Sequence, residues 1–179
     1  YELPESSRLS LQRLAYPEDA LPLGLAWGWM QLQPELYRDC FGFANFGIFT
    51  HLPETMLNLS IWRGETMLAL VPLIWRYQKP CEVGVITPPR PNVRDVIAGL
   101  RLIENEIFGP LGYDAFFVRC KEPARRIAEW YGLRESSQRN LFFRSKYDVE
   151  RKQHGAAASG RDRRSVGHAG VATVCQLPT

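Results

Sequence analysis

The sequence is poor in the residues that bind metals or form cross-links. Its three histidines and four cysteines are scattered, and no Cys-x-x-Cys pair occurs. A structural zinc site needs four converging ligands, usually with two close in sequence. We therefore expect no metal site, and we expect reduced thiols rather than a disulfide framework. The cysteines are Cys40, Cys81, Cys120 and Cys175.

Long apolar runs are also absent. The longest candidate, Met67 to Trp75, is interrupted by Pro72, and it is far shorter than the roughly 18 residues that cross a bilayer. The N-terminal residues show neither a basic start nor an apolar block, so we expect no secretory signal peptide and no membrane partner. With 179 residues, 45% of them hydrophobic and 23% charged, the composition is typical of one soluble globular domain.

The net charge of +3 is unevenly distributed. Residues 151–179 contain five basic residues and one acidic residue, a charge of +4, which leaves −1 on residues 1–150. The 151–179 segment is rich in Gly and Ala and has little to bury. We therefore expect a domain over 1–150 and a basic tail over 151–179 that only a partner would order. Its candidate partner-binding residues are Arg161, Arg163 and Arg164.

The first half of the chain predicts strands around one helix. Alternation predicts a strand over Arg8–Leu14, and acids after Pro17 predict a helix start there, followed by helix through Leu21–Leu36. Leu57–Trp62 and Thr66–Tyr77 predict a hairpin, whose second strand is apolar on both faces, as a central strand should be. Within that strand, Pro72 predicts a bulge or an edge position.

The second half predicts alternating strands and helices. Strands are expected over Glu82–Thr87, Asp114–Cys120 and Leu141–Tyr147, the second of them covered on both faces. Asn92 is expected to cap an amphipathic helix that ends at Gly109. A further helix should run from Pro123 to Gly132, with Ile127, Trp130 and Tyr131 facing inward. The order predicts a mixed α/β (α+β) fold with a mostly antiparallel sheet flanked by helices.

The segment Cys81 to Leu133 resembles the cofactor-binding half of the GNAT (GCN5-related N-acetyltransferase) superfamily. Lys121–Leu133 is similar to the family pattern Asn-x-x-Ala-x-x-Leu-Tyr-Glu-Lys-x-Gly-Phe at Ala124, Ile127, Glu129 and Gly132. The resemblance extends over roughly Arg8 to Tyr147. It implies that acetyl-CoA lies between two parallel strands, with its pyrophosphate on a glycine-rich loop.

Several positions depart from the family pattern. The expected glycine loop, Thr87 to Asp95, has three prolines and no glycine, so Arg90 and Arg94 are the remaining candidates for a pyrophosphate. The family's tyrosine, which protonates the leaving thiolate, falls on Ala128. Tyr131 stands three residues further on, either as a catalytic hydroxyl or as core packing. Glu82 is either a general base or a solvated residue at a strand end.

These departures favour a non-catalytic protein over an enzyme. The chain is similar to the small GNAT-like virion or head-assembly proteins of tailed bacteriophages. That resemblance implies a structural protein of the virion or host cytoplasm, which binds other proteins through its surface and tail and needs no cofactor. The alternative is an acyl-CoA-dependent N-acetyltransferase with acetyl-CoA in an atypical loop. A third interpretation is that the tail arginines contact nucleic-acid phosphates.

Overall fold

The computed structural model describes residues 8–39, 43–47, 56–74 and 81–149. Seven strands form one sheet: β1 Leu9–Leu14, β2 Met56–Arg63, β3 Thr66–Ile74, β4 Cys81–Val83, β5 Ala115–Arg119, β6 Arg134–Glu135 and β7 Leu141–Ser145. The described residues also form the helices α1 Ala20–Gln31, α2 Pro34–Tyr37, α3 Val93–Phe108 and α4 Glu122–Tyr131. The tail over 151–179, with its three candidate arginines, lies outside the described residues.

The sheet has the strand order β1-β2-β3-β4-β5-β7-β6. Neighbouring strands are antiparallel except for β4 and β5, which are parallel. The predicted mixed, mostly antiparallel sheet with flanking helices is confirmed. The short strand β6 was not predicted, because two exposed residues within a polar segment carry no alternation of apolar and polar side chains.

The two faces of the sheet pack against different helices. One hydrophobic cluster joins Val71 of β3 and Phe116 of β5 to Ile103 of α3. The other joins the adjacent Leu70 of β3 to Met30 of α1. Successive side chains of a strand point to opposite faces, so α3 lies on one side of the sheet and α1 on the other.

The first helix begins later than predicted. Ala15 and Asp19 close a turn, in which the Ala15 N–H donates to the Asp19 carboxylate at 2.8 Å and the Asp19 N–H donates to the Ala15 carbonyl at 2.8 Å. This turn contains Pro17, and the helix starts only at Ala20. The prediction of a helix start at Pro17 was wrong, because the Asp19 carboxylate closes this turn instead of capping a helix that begins at Pro17.

Pro72 lies in the centre of the sheet, so the predicted edge position was wrong. It pairs with Asn58 of β2 in regular register, and the register shift falls at Ile61/Trp62 instead. On its other side, the Pro72 carbonyl accepts from the Gly84 N–H at 2.9 Å, while its own nitrogen has no hydrogen to donate. A Cβ on Gly84 would come within 2.9 Å of the Pro72 ring, so any other residue here would require the ring or the backbone to shift.

Two predictions about buried faces were wrong. Trp130 is 66% exposed, because the inward stripe of α4 runs through Ala128 and Tyr131, and a residue next to Tyr131 is turned about 100° around the helix. In β5, Phe116 and Val118 are buried, whereas Phe117 is only half-buried. Strand β5 is therefore well covered on one face only.

Candidate functional site

The parallel strands β4 and β5 pair at only two positions and then separate. Cys81 pairs with Phe116, and Glu82 pairs with Phe117. Beyond them, β4 follows β3 instead, since Ile86 and Leu70 exchange backbone hydrogen bonds of 2.8 and 2.9 Å. The result is a gap between β4 and β5 that opens after Val83. We call this gap the splay.

One backbone position of the splay is open on the β4 side. Backbone groups of successive strand residues point alternately to the two neighbouring strands. Gly84 and Ile86 direct theirs to β3, so those of Val85 and Thr87 point toward the splay. No hydrogen bond joins the Val85 backbone to another described residue. Its N–H and C=O are therefore available to an extended ligand.

The next position, Thr87, is closed by two buried side chains from the α1–α2 region. The Gln33 Nε2 donates to the Thr87 carbonyl at 2.8 Å and to the Trp29 carbonyl at 3.2 Å. The Tyr37 hydroxyl accepts from the Thr87 N–H at 3.2 Å. Gln33 and Tyr37 are 6% and 8% exposed. Together they fix the segment after β4 to the α1–α2 region and leave Val85 as the open backbone position.

The loop that follows has few backbone donors. Pro88, Pro89 and Pro91 have no N–H, whereas Arg90 and Arg94 are exposed. The first N–H groups of a helix have no partner within the helix, and the helix dipole makes this end positive. Two arginines and the start of α3 therefore lie in one short segment, a combination that suits an anion.

The start of α3 is stabilised by its own cap and by an ion pair. The Asn92 side chain accepts from the Asp95 N–H at 3.4 Å, which confirms the predicted cap. Arg63 of β2 donates to the Asp95 carboxylate at 2.6 Å. This pair neutralises the acid next to the segment that carries Arg90 and Arg94, and so reduces repulsion of an anion there.

A shallow cleft of about 450 Å³ lies where α2 meets the start of α4. Its lining is mostly charged: Pro34, Glu35, Arg38, Asp39 and Lys121. Lys121 and Asp39 form an ion pair of 2.9 Å across it. The hydrogen bond and charge of Lys121 lower the pKa of the Asp39 carboxyl. The lining of the cleft therefore contains two acidic and two basic side chains.

Glu82 lies at the closed end of the splay. Its neighbours Cys81 and Val83 are buried in the α3 side of the sheet, so its side chain points to the opposite face. Arg119 of β5 donates through Nε to the Glu82 carboxylate at 3.1 Å. The Glu82 side chain is 12% exposed, so it is not the solvated strand-end residue of the second interpretation.

Tyr131 lies in the core, away from the splay. Its hydroxyl donates to Glu104 of α3 at 2.9 Å, and Glu104 also pairs with Arg144 of β7. All three are about 5% exposed or less. Burial, followed by the charge of Glu104, raises the pKa of the Tyr131 hydroxyl. The arrangement suits packing between α3, α4 and β7, and it directs the Tyr131 proton to Glu104.

The described thiols offer no nucleophile. Cys81 and Cys120 are buried, and burial raises the pKa of the Cys81 thiol to about 11. A buried thiol of high pKa is unreactive at neutral pH. Within the described ranges, no three His, Cys, Asp or Glu side chains come together as metal ligands would. None of the described helices is long and apolar enough to cross a bilayer.

Sequence reasoning found part of this site and missed the rest. Glu82, Arg90 and Arg94 lie on β4, its loop and the start of α3, whereas Tyr131 lies elsewhere. The contacts of Gln33 and Tyr37 with Thr87 were missed, since the partners are 54 and 50 residues apart. The pair between Asp39 and Lys121 spans 82 residues. No local pattern indicates such contacts.

The architecture is that of the GNAT acetyltransferases. A probable GNAT-family acetyltransferase from Chromobacterium violaceum is similar with a TM-score of 0.60 and 18% identity, over 84% of this chain and 96% of that one. The spermidine N-acetyltransferase SpeG of Vibrio cholerae gives 0.63 and 12%, over 81% and 98%. At these identities the similarity shows the GNAT fold.

A third solved structure was determined with a ligand. The Campylobacter jejuni N-acetyltransferase PseH, in complex with acetyl coenzyme A, is similar with a TM-score of 0.53 and 12% identity, over 78% of this chain and 99% of that chain. No family model and no curated protein matches the sequence.

Proposed function

We propose that the chain is an acyl-CoA-dependent N-acyltransferase that holds its acyl donor in the splay between β4 and β5. The observation that carries this proposal is the open backbone of Val85 at the point where the two parallel strands separate. An extended ligand with amide groups binds such an edge as an added strand does. Structures with the same fold include named N-acetyltransferases, one of them bound to acetyl coenzyme A, and this supports the choice of ligand.

The residues around the splay fit the two ends of acyl-CoA differently. The Val85 N–H and C=O match the amide-bearing arm. The phosphate end would meet Arg90, Arg94 and the first N–H groups of α3, because the three prolines offer no backbone cradle. Arginine side chains bind phosphate well but lose side-chain entropy when they do so. We therefore expect weaker binding than a glycine-rich loop would give.

The chain's own groups supply the rest of the reaction. Bound acyl-CoA provides a thioester whose carbonyl carbon accepts the amine nitrogen as the carbon–sulfur bond breaks. Glu82, which accepts a hydrogen bond from Arg119, is our candidate base for the proton that the amine loses. The cleft is lined by equal numbers of acidic and basic side chains, so it sets no preference for the charge of the acceptor amine. Because Ala128 has no hydroxyl and Tyr131 is buried, we assign the thiolate's proton to solvent.

Calorimetric titration with coenzyme A and acetyl-CoA tests the proposal. We expect micromolar binding, weakened about tenfold or more by the double variant Arg90→Ala/Arg94→Ala, since each charged hydrogen bond contributes about 1.5–3 kcal/mol. Two other exposed arginines provide a matched control, Arg126→Ala/Arg139→Ala, which removes the same charge elsewhere. If both double variants weaken acetyl-CoA binding equally, the cause is a general charge effect. Absence of wild-type binding at millimolar ligand would reject the proposal.

Catalysis needs a separate test. Glu82→Gln should leave acetyl-CoA binding unchanged and lower the rate of thiol release with a panel of amines by about 100-fold or more, which is typical of a lost general base. An unchanged rate would remove Glu82 from the reaction.

The second candidate function is a non-catalytic protein of an assembly. It is supported by the closure of the Thr87 backbone by Gln33 and Tyr37, by the proline loop and by Ala128. The acetyltransferases described above lend no support to the virion role expected from the sequence. Absence of coenzyme A and acetyl-CoA binding in the calorimetric titration would favour this candidate. Deletion of residues 151–179 should then remove partner binding while the domain stays folded.

A further inference from the structure

The outer face of α1 is apolar, although it points to solvent. The helix contains no charged residue. Its inner side chains Leu23 and Met30 are fully buried, whereas Leu21, Leu25 and Leu32 are 88%, 49% and 69% exposed. A helix on the surface of a globular protein normally has polar residues on its outer side. Leu32 is the residue that caps the end of α1. We call these three leucines, together with Gly24 and Gly28 between them, the α1 outer stripe.

The two glycines form a depression within this stripe. A Cβ placed on Gly24 or on Gly28 would meet no atom within 4 Å, so neither glycine is required by packing inside the chain. Glycine in a helix interior is unfavourable by about 1 kcal/mol relative to alanine. Small residues spaced four apart do allow a second helix to approach closely. The intramolecular packing leaves both glycines unexplained, and an external helix explains them.

We propose that the α1 outer stripe pairs with the same stripe of a second copy of this chain, the two helices running antiparallel. A two-fold axis between positions 26 and 27 places Leu25 of each copy opposite Gly28 of the other. The same axis places Leu21 opposite Leu32. Large side chains thus meet depressions or other leucines along the whole helix. A two-fold interface requires a surface that is complementary to itself, and this stripe has that property.

The exposed area sets the strength of the pairing. The three leucines expose on the order of 400 Å², within the range of the largest apolar patch on a typical monomer. A stable dimer buries about 800 Å² on each partner. The stripe provides about half of that area, so we expect a reversible dimer with a dissociation constant in the micromolar range.

A membrane surface fits the stripe less well than a second copy does. Helices that lie on membranes normally carry Lys and Arg on their polar side, and α1 contains neither. Binding to lipid chains would also not explain why leucines and glycines alternate along the stripe, whereas packing against a second helix does. We therefore assign the stripe to a copy of the chain.

Sedimentation equilibrium of the full chain, from low micromolar to near-millimolar concentration, tests this assignment. Wild type should show a monomer–dimer equilibrium. Gly28→Leu adds a side chain whose Cβ would meet no atom of the monomer within 4 Å. It should therefore keep the circular dichroism spectrum and raise the dissociation constant about tenfold or more. The swap Leu25→Gly/Gly28→Leu restores one large and one small residue at the contact, and it should recover dimerisation. Trp130→Ala, which removes a different exposed apolar side chain, should change nothing.

Three results would overturn the proposal. One is a wild-type chain that stays monomeric over the whole concentration range. Another is a dimer that persists unchanged in Gly28→Leu. The third is flotation with phosphatidylcholine vesicles that Leu21→Glu abolishes, since it would assign the stripe to a membrane instead of a second copy.

Discussion

Replacing Glu104 by leucine should be among the most destabilising single changes in the described part of the chain. Glu104 accepts hydrogen bonds from Arg144 and Tyr131, and all three side chains are buried. Arg144 is 4% exposed, and in the variant Glu104→Leu its guanidinium would keep only the Gly132 carbonyl, at 3.2 Å, as a hydrogen-bond acceptor among the described residues. Removing one partner of a buried ion pair typically costs about 3–5 kcal/mol.

That loss is large relative to the stability of a single domain, which is about 5–15 kcal/mol. The structure also predicts how it can be recovered. Glu104→Leu/Arg144→Met removes both buried charges, an exchange that is often neutral or stabilising, but it leaves the Tyr131 hydroxyl without an acceptor, at about 1–3 kcal/mol. Adding Tyr131→Phe removes that hydroxyl. We therefore expect the triple variant to be close to wild type and far more stable than the single variant.

Guanidinium unfolding followed by tryptophan fluorescence measures these differences. The control is Glu106→Leu, an exposed glutamate two residues away on the same helix, for which we expect a change within about 0.5 kcal/mol. A loss below about 1 kcal/mol for Glu104→Leu would contradict the uncompensated-charge argument. So would a triple variant as unstable as the single one.

Three further changes test the packing and the cleft. Gly99→Ala should destabilise the fold by about 1–3 kcal/mol in the same unfolding assay, because its Cβ would come within 2.4 Å of Ile61; an unchanged midpoint would contradict this contact. Gly132→Ala should lose about 1 kcal/mol, since Gly132 ends α4 with φ 96°, and equal stability would show that the helix end relaxes. In an NMR titration, Lys121→Met should raise the pKa of Asp39, which Lys121 now lowers. In wild type, the contribution of the Asp39–Lys121 pair to folding stability is present above the ordinary pKa of a carboxyl group. It is lost as pH falls through the lowered pKa of Asp39. An Asp39 titration curve that is the same in Lys121→Met and wild type would mean that the pair does not form in solution.

The elements with strong local signals were predicted best. The amphipathic helix over Val93–Phe108 has apolar residues at intervals of three and four and an asparagine at its start. The hairpin of β2 and β3 is recognisable from its alternation and its Arg63–Glu65 turn. In both cases the relevant physics acts between residues only a few positions apart, so the sequence alone contains it.

The burial of individual aromatic residues was predicted less well. Trp130 and Tyr131 are adjacent and both aromatic, yet one is exposed and the other buried. Hydrophobicity alone cannot distinguish them, because the choice depends on which side of α4 meets Glu104 and Phe142. Phe117 was expected to be covered for the same reason, and the extent of its burial depends on what lies above β5.

In the candidate site, too, some features follow from local sequence and others from tertiary contacts. The sequence by itself determined the chemical content of the loop: three prolines remove backbone donors, two arginines remain, and Ala128 offers no hydroxyl. Only the tertiary structure decided that β4 and β5 separate after two pairs, that Gln33 and Tyr37 close Thr87 while Val85 stays open, and that Glu82 meets Arg119. The loop's chemistry follows from residue identity, whereas the closure of Thr87 and the contact of Glu82 with Arg119 depend on residues 37 to 54 positions apart, which no local pattern specifies.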